Sequence, residues 1–132
     1  MASNVEIVRA IYDSFARADI GAVIGAMAPG IVWNEAENHP YADGNPYVGA
    51  EAVLKGIFAR LGAEWDGFAV TADELLGAGD RVVAFGRYTG TNRRTGKPVN
   101  AQVVHVWTVE NGKAARFQQY TDTHQFMRAM GS

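Results

Sequence analysis

Apolar positions recur at helical spacing in the first half of the chain and alternate in the second. Ser3-Asn-Val-Glu6 has the pattern of a capping box, in which a serine hydroxyl accepts from the backbone and a glutamate reaches back. Ile7, Ile11 and Phe15, flanked by Val8 and Tyr12, follow as one buried stripe. A second short helix starts at Asp19, with Ile20, Val23, Ile24 and Met27 on one side, and Pro29-Gly30 ends it. Residues 31–35 read as a short strand and residues 36–48 as a loop. A third helix is predicted from about Ala50 to Leu61, burying Val53, Leu54, Ile57, Phe58 and Leu61, with Gly62 just past its end. Beyond it the segments 65–76, 81–91, 98–110 and 113–122 alternate as strands, separated by the turn clusters Gly77-Ala-Gly79-Asp80, Thr91 to Gly96, and Asn111-Gly112. A last short helix follows His124. Helices first and strands afterwards predict an α+β fold, one domain over residues 1–132, its helices covering one side of a curved antiparallel sheet.

The final hairpin carries the most chemistry. Asn111-Gly112 suits a type I′ turn, which needs positive φ at both central residues. With Glu110 opposite Lys113, unbroken pairing sets His105 opposite Gln118 and Ala101 opposite Asp122. Side chains alternate along a strand, so His105, Trp107, Gln118, Tyr120 and Asp122 are expected on one face. An imidazole, an indole, a phenol and a carboxylate on one sheet surface suggest the wall of a polar-tipped cavity. Strand 81–91 adds Val82, Ala84, Gly86 and Tyr88 on one face, where the small residues either leave cavity space or admit a close backbone neighbour. Val104, Val106 and Phe117 are expected on the hairpin's other side. A sheet covered on one side only should be polar on the other, so this second apolar face predicts a homodimer through the sheet.

Composition narrows the function classes. The 132 residues are 48% hydrophobic and 11% aromatic, enough for a sizeable core. Twelve basic against 14 acidic residues give a net charge of −2, without the basic footprint of a nucleic-acid binder. The absence of cysteine removes disulfides, thiolate catalysis and sulfur-rich zinc sites. Met1 to Arg9 places an acid and a base where a signal peptide needs an apolar core, and no apolar run approaches the roughly 20 residues of a membrane span. The expectation is a soluble, cytoplasmic chain without a membrane or nucleic-acid partner. His39, His105 and His124 form no metal-ligand spacing, and there is no phosphate-cradling loop or nucleophile elbow, so neither metal nor cofactor is expected.

Three residues are candidates for proton chemistry. Glu35 shares parity with Ile31 and Trp33, so it either points into the same apolar interior, where desolvation raises a carboxyl pKa, or frays into solvent at the strand's end. His105 sits mid-strand between apolar residues, as a core imidazole with a hydrogen-bonded neighbour or as a working donor. Asp122 either faces the cavity or caps the terminal helix. In a regular ladder it lies roughly 13 Å along the strand from the partner of His105, so the two do not form a dyad. The loop Asn38-His-Pro-Tyr41-Ala-Asp-Gly-Asn-Pro-Tyr47 places two phenols and an imidazole near Glu35.

A helical pair ending near residue 28, a short strand bearing Trp33 and Glu35, a helix opened by Tyr47-Val-Gly49-Ala-Glu-Ala-Val53, and the segments His105-Val-Trp107-Thr-Val-Glu-Asn-Gly112-Lys and Gln119-Tyr-Thr-Asp122-Thr together resemble the nuclear transport factor 2-like superfamily. The branch most similar is that of the SnoaL-like polyketide cyclases and ketosteroid-isomerase-related proteins. The resemblance implies a cone-shaped, cystatin-like α+β domain, often dimeric, with a deep pocket between helices and sheet. It implies an acid/base role for Asp122 with His105 by likeness to the cyclases. By likeness to the isomerases it gives Glu35 the proton-shuttling position and His105 the oxyanion-holding one. The isomerases' oxyanion tyrosine departs: the first helix offers Ile11 followed by Tyr12, one place out of register, and one helical position turns a side chain by about 100°.

The function expected is cofactor-independent acid/base catalysis of the isomerase, cyclase or dehydratase type on a small hydrophobic carbonyl compound. Asp122, His105 and Glu35 would be catalytic, and Trp33, Tyr41, Tyr47, Phe58, Gly86, Tyr88, Trp107 and Tyr120 would line the substrate pocket. The alternatives are a non-catalytic binder of a small hydrophobic ligand and an interaction module with a filled core. An enclosed cavity reached by at least two of the three proton-carrying residues separates the first from the last.

Overall fold

The computed structural model describes residues 2–131. Its strands β1 (Met27–Asn34), β2 (Tyr47–Val48), β3 (Trp65–Ala78), β4 (Arg81–Asn92), β5 (Pro98–Glu110) and β6 (Lys113–Thr121) form one sheet in the order β2-β1-β6-β5-β4-β3. Neighbours run antiparallel except β1 and β6, which are parallel. The helices α1 (Asn4–Ala16) and α2 (Ile20–Gly25), a helical stretch made of α3 (Ala50–Val53), a π-helical turn (Leu54–Phe58) and α4 (Ala59–Glu64), and α5 (Thr123–Ala129) complete the fold. Helices cover one face of a curved sheet, as the order of elements implies. Among the described residues, no helix is long and apolar enough to cross a membrane.

Local sequence accounts for most element ends. Ser3 Oγ accepts from the Glu6 backbone N–H at 3.2 Å, and the Glu6 carboxylate accepts from the Ser3 N–H at 2.9 Å. Asp19 caps α2 through the Ala22 N–H. Several boundaries differ from the sequence expectation: the segment 36–48 read as a loop holds a 3₁₀ turn (Pro40–Gly44) and ends in β2, β3 runs on to Ala78, and two helix ends move. The α2 helix stops at Gly25, and Met27 already belongs to β1, because the Ala114 N–H of β6 takes the Ala26 carbonyl at 2.9 Å. Pro29-Gly30 then falls inside β1, where pairing with β6 jumps from Met27 to Val32, so the missing proline N–H breaks no ladder bond. The third helical stretch passes Gly62 and ends at Glu64. There the Arg93 backbone N–H takes the Glu64 carbonyl at 2.9 Å, a tertiary partner that local sequence does not reveal.

The hairpin turn forms as expected, with φ of 52° at Asn111 and 78° at Gly112. Pairing starts at Glu110 with Lys113 and Val109 with Ala114, but the next pair is Thr108 with Arg116. Ala115 is thus an extra residue on β6, a β-bulge that shifts every later pair by one. His105 therefore lies opposite Gln119, not Gln118, and Trp107 lies opposite Phe117. Phe117 and Gln119 join the inner face, while Gln118 and Tyr120 turn outward.

The core sits between that inner face and the helices. Val8, Ile11 and Tyr12 of α1, Val23 of α2, and Val53 and Ile57 pack with Ile31, Trp33, Ala84, Trp107 and Phe117. A second cluster joins Trp65, Tyr88, Val103 and Phe126 at the α5 end, with Leu61 and Val70 touching both. Each large apolar side chain fully removed from water contributes about 1.5–3 kcal/mol. On the outer face Val83, Val104 and Val106 are half-buried, and Val48, Tyr120 and Leu76 are 60%, 56% and 49% exposed.

Candidate functional site

An apolar cavity opens between the helices and the inner face of the sheet. Ile11, Tyr12 and Phe15 reach it from α1, and Ile57, Phe58 and Leu61 from the third helical stretch. Trp33 and Glu35 come from β1 and the residue just past it; Tyr88, His105, Trp107, Phe117 and Gln119 come from β4, β5 and β6. A π-helical turn at such a wall is a common feature of functional sites.

Glu35 points inward, as its parity with Trp33 requires, and is 4% exposed. Its Oε2 accepts from the Trp33 indole N–H at 2.9 Å. Asn45 fixes the local backbone, accepting from the Glu35 N–H at 3.0 Å and donating to its carbonyl at 2.8 Å. Burial pushes the carboxyl up to about 7, against the smaller opposing pull of the Trp33 N–H, the Arg60 charge and the Gln119 amide. The strand does not fray here because that Asn45 clasp ties its end to the following loop.

Across the cavity His105 stands between two phenols. Tyr12 Oη lies 2.6 Å from its Nδ1 and Tyr88 Oη 2.6 Å from its Nε2. Each phenol oxygen also accepts a second hydrogen bond, Tyr12 from the Trp107 indole N–H at 2.9 Å and Tyr88 from the Gln119 amide at 2.8 Å. The amide of Gln119 is oriented by its own Oε1, which accepts from the Ala36 N–H at 3.1 Å. Burial without a counter-charge pushes His105 down to about 3, so the ring is neutral. Burial also raises both phenols; at Tyr88 the Glu35 charge adds to the effect.

His39 lines the same cavity with its ring against Phe126, centroids 4.5 Å apart. Its Nδ1 accepts from the Tyr41 N–H at 3.0 Å, which leaves the proton of the neutral ring on Nε2. Burial first, then the Arg60 charge, lowers it to about 4.

Of the residues singled out from sequence, Trp33, Glu35, Phe58, Tyr88, His105 and Trp107 line the cavity. Five do not. Asp122 is exposed and caps α5, accepting from the Gln125 N–H at 3.4 Å and the Gln125 amide at 3.1 Å. Tyr120 is carried to the outer face by the Ala115 bulge. Tyr41 is fully buried away from the cavity, donating to Glu64 at 2.5 Å and accepting from the Trp65 indole at 3.0 Å. The ring of Tyr47 is wedged against Gly44 and Gly56, where an added Cβ would sit 2.4 and 2.2 Å from it. Gly86 makes no room for a ligand. A Cβ there would meet the Thr71 carbonyl oxygen at 1.8 Å, at an irregularity in β3, so this glycine admits the neighbouring strand.

The sequence reading omitted Tyr12 and Gln119 from the site. Tyr12, expected to be turned away by its register on the first helix, bonds both His105 and Trp107. Its stripe neighbours Ile11 and Phe15 also line the cavity, so its place beside them on the buried face of the first helix was the available signal. Gln119 was hidden by the bulge.

Comparison with known proteins agrees with this fold. The family model described as SnoaL-like domain matches residues 8–117. A crystal structure of an NTF2-like protein from Burkholderia thailandensis E264 superposes with a TM-score of 0.95 at 41% identity, covering 100% of both chains. TerC, crystallised with polyporic acid, superposes at 0.85 with 31% identity over 98% of each chain. The patulin synthesis protein F of Aspergillus clavatus is 32% identical over 98 residues, which is 70% of this chain and 47% of that protein. The chain thus spans about half the length of that relative. With its cone of helices on a curved sheet and the family model covering residues 8–117, the chain belongs to the SnoaL-like domain family of the nuclear transport factor 2-like superfamily.

Proposed function

We propose that this chain is a cofactor-free acid/base enzyme of the isomerase, cyclase or dehydratase type, acting on a small hydrophobic carbonyl compound. The observation that carries the reading is a buried carboxyl poised near neutral pH, sharing an apolar cavity with a phenol–imidazole–phenol cluster. Glu35 is the base: its carboxylate takes the proton from the carbon beside the carbonyl, and the electron pair of that C–H bond moves onto the carbonyl oxygen. The enolate oxygen is held by a phenolic O–H of Tyr12 or Tyr88, because both nitrogens of His105 are already occupied. Protonated Glu35 then returns the proton at the same or a conjugated carbon. Placed donors at a developing oxyanion are worth a few kcal/mol each. Membership of the SnoaL-like domain family, and likeness to proteins named for patulin synthesis and for a co-crystal with polyporic acid, support a carbonyl-rich secondary metabolite as substrate class.

The test is exchange of the acidic C–H protons of hydrophobic cyclic ketones such as 2-tetralone in D₂O, followed by NMR. The wild-type chain should accelerate exchange, and Glu35→Gln should lose about 100-fold or more of that acceleration. A ligand that raises the melting temperature with no exchange of any ketone would instead favour the second reading, a non-catalytic binder using the same cavity.

A further inference from the structure

Counting hydrogens in the His105 cluster leads to a property that the fold alone does not require. The direction of the hydrogen bonds is fixed at both ends. Trp107 has only an indole N–H and must donate to Tyr12. The Gln119 amide, pinned by Ala36 at its oxygen, must donate to Tyr88. Between them stands an imidazole buried without a counter-charge, hence neutral, with one N–H and one lone pair. With the proton on Nδ1, the ring donates to Tyr12 and accepts from Tyr88; the Tyr12 O–H is then left over. With the proton on Nε2, the ring donates to Tyr88 and accepts from Tyr12, and the Tyr88 O–H is left over. Either way the cluster has one more hydrogen than it has internal acceptors, and that hydrogen is on a phenol lining the cavity.

We propose that Tyr12, His105 and Tyr88 form a two-ended donor, which keeps one phenolic O–H free for a ligand oxygen and presents it from either phenol according to the tautomer of His105. The two ends are alike in their hydrogen bonds. Each phenol lies 2.6 Å from its ring nitrogen, and each accepts one further N–H bond. Going from one arrangement to the other moves the ring proton between the nitrogens while each phenol keeps one hydrogen. As Nδ1 passes its proton to the Tyr12 oxygen and Nε2 takes that of Tyr88, the free Tyr12 hydrogen leaves to a water or ligand oxygen and Tyr88 takes one back from a water or ligand oxygen, so no net charge is created. His105 is therefore a positioning residue that acts through the phenols. The ligand class this suits is a carbonyl or enol compound whose acceptor oxygen can lie at either end of the cluster. The inference deepens the enzymatic reading given above and rests on it only for what the donor does to a substrate.

The experiment is ¹⁵N NMR of the full chain labelled in histidine, at pH 7 and without ligand, with the His105 signals assigned by their loss in His105→Gln. Both His105 nitrogens of the wild type should resonate between the protonated and unprotonated limits, the mark of two neutral tautomers in exchange. Tyr12→Phe should move the proton to Nε2, because an N–H directed at a phenyl ring is costlier than an idle lone pair. Tyr88→Phe should move it to Nδ1. One fixed tautomer in the wild type, the same tautomer in both variants, or a doubly protonated ring would overturn the proposal. If either variant fails to fold, the wild-type spectrum alone decides. Because no substrate is present, this result and the ketone exchange assay can fail independently.

Discussion

Trp33 and Glu35 lie two positions apart at the end of β1, and the indole N–H of the first holds the carboxyl of the second at 2.9 Å inside an apolar cavity. The sequence dictates this, since residues of like parity share a face and the face is buried. The indole offers one hydrogen bond, whereas water would fully solvate the charge, so the folded carboxyl favours its proton. Its pKa rises from the usual 4.5 to about 7. A carboxyl with a raised folded pKa contributes stability that is fully present below pH 4.5 and is lost as pH rises through 7. Glu35→Gln removes that loss while keeping the acceptor for Trp33. Its melting temperature should match the wild type near pH 4 and exceed it at pH 8, by a stability gain on the order of 3 kcal/mol. Equal pH dependence of the two proteins would show that Glu35 is solvated.

The same titration should appear in catalysis with the opposite usefulness. The base is needed ionised, so ketone exchange should climb as pH rises through about 7 and then level off. A rate that is flat from pH 5 to 9 would remove Glu35 from the base role.

His105 bonds a phenol at each ring nitrogen, so its removal leaves two buried phenols with an unmet partner. His105→Ala should destabilise by about 2–4 kcal/mol in urea unfolding, the sum of lost hydrogen bonds and a new cavity. A loss below about 1 kcal/mol would mean that water fills the gap and restores the network.

Asp122 is exposed at the start of α5, and among the described residues its side chain hydrogen-bonds only Gln125. Asp122→Ala should cost about 1 kcal/mol or less as a lost helix cap, with ketone exchange unchanged. A hundredfold loss of exchange with the fold intact would return Asp122 to the site and require α5 to move.

The outer face of the sheet presents Val104, Val106, Phe85 and Tyr120 together, and we propose that a second copy of the chain covers it. Sedimentation at micromolar concentration should give a dimer, and Val106→Asp should give monomer or aggregate. A monomeric wild type would overturn this.

Most of the architecture was legible because the two periodicities are clean. The capping box at Ser3, the four long strands from residue 65 onward and the Asn111-Gly112 turn lie where sequence places them to within two residues. Glu35 and His105 were legible as candidates for the same reason: strand parity is a local property, and His105 sits on, and Glu35 directly follows, a strand whose buried face carries large apolar side chains. What escaped depends on tertiary partners. The end of α4 is set by Arg93, and Tyr41 and Tyr47 are drawn into the framework by Glu64, Trp65 and two close glycines. Tyr12 escaped because comparison by position in a motif judged its direction, whereas the cavity wall on α1 is wide enough to include it.

The additional residue at Ala115 has a consequence for reading relatives of this chain. Removing it would leave the pairs Val109 with Ala114 and Thr108 with Arg116 as they are, and would turn an interrupted ladder into a regular one. A homologue one residue shorter between the turn and the glutamine can therefore keep the same inward-facing set with a straighter hairpin. Placing its gap at 115 preserves the equivalence of Phe117 and Gln119. Placing the gap in the strand beyond Gln119 makes a conserved wall look substituted, and would lead an engineer to mutate Gln118, which faces outward.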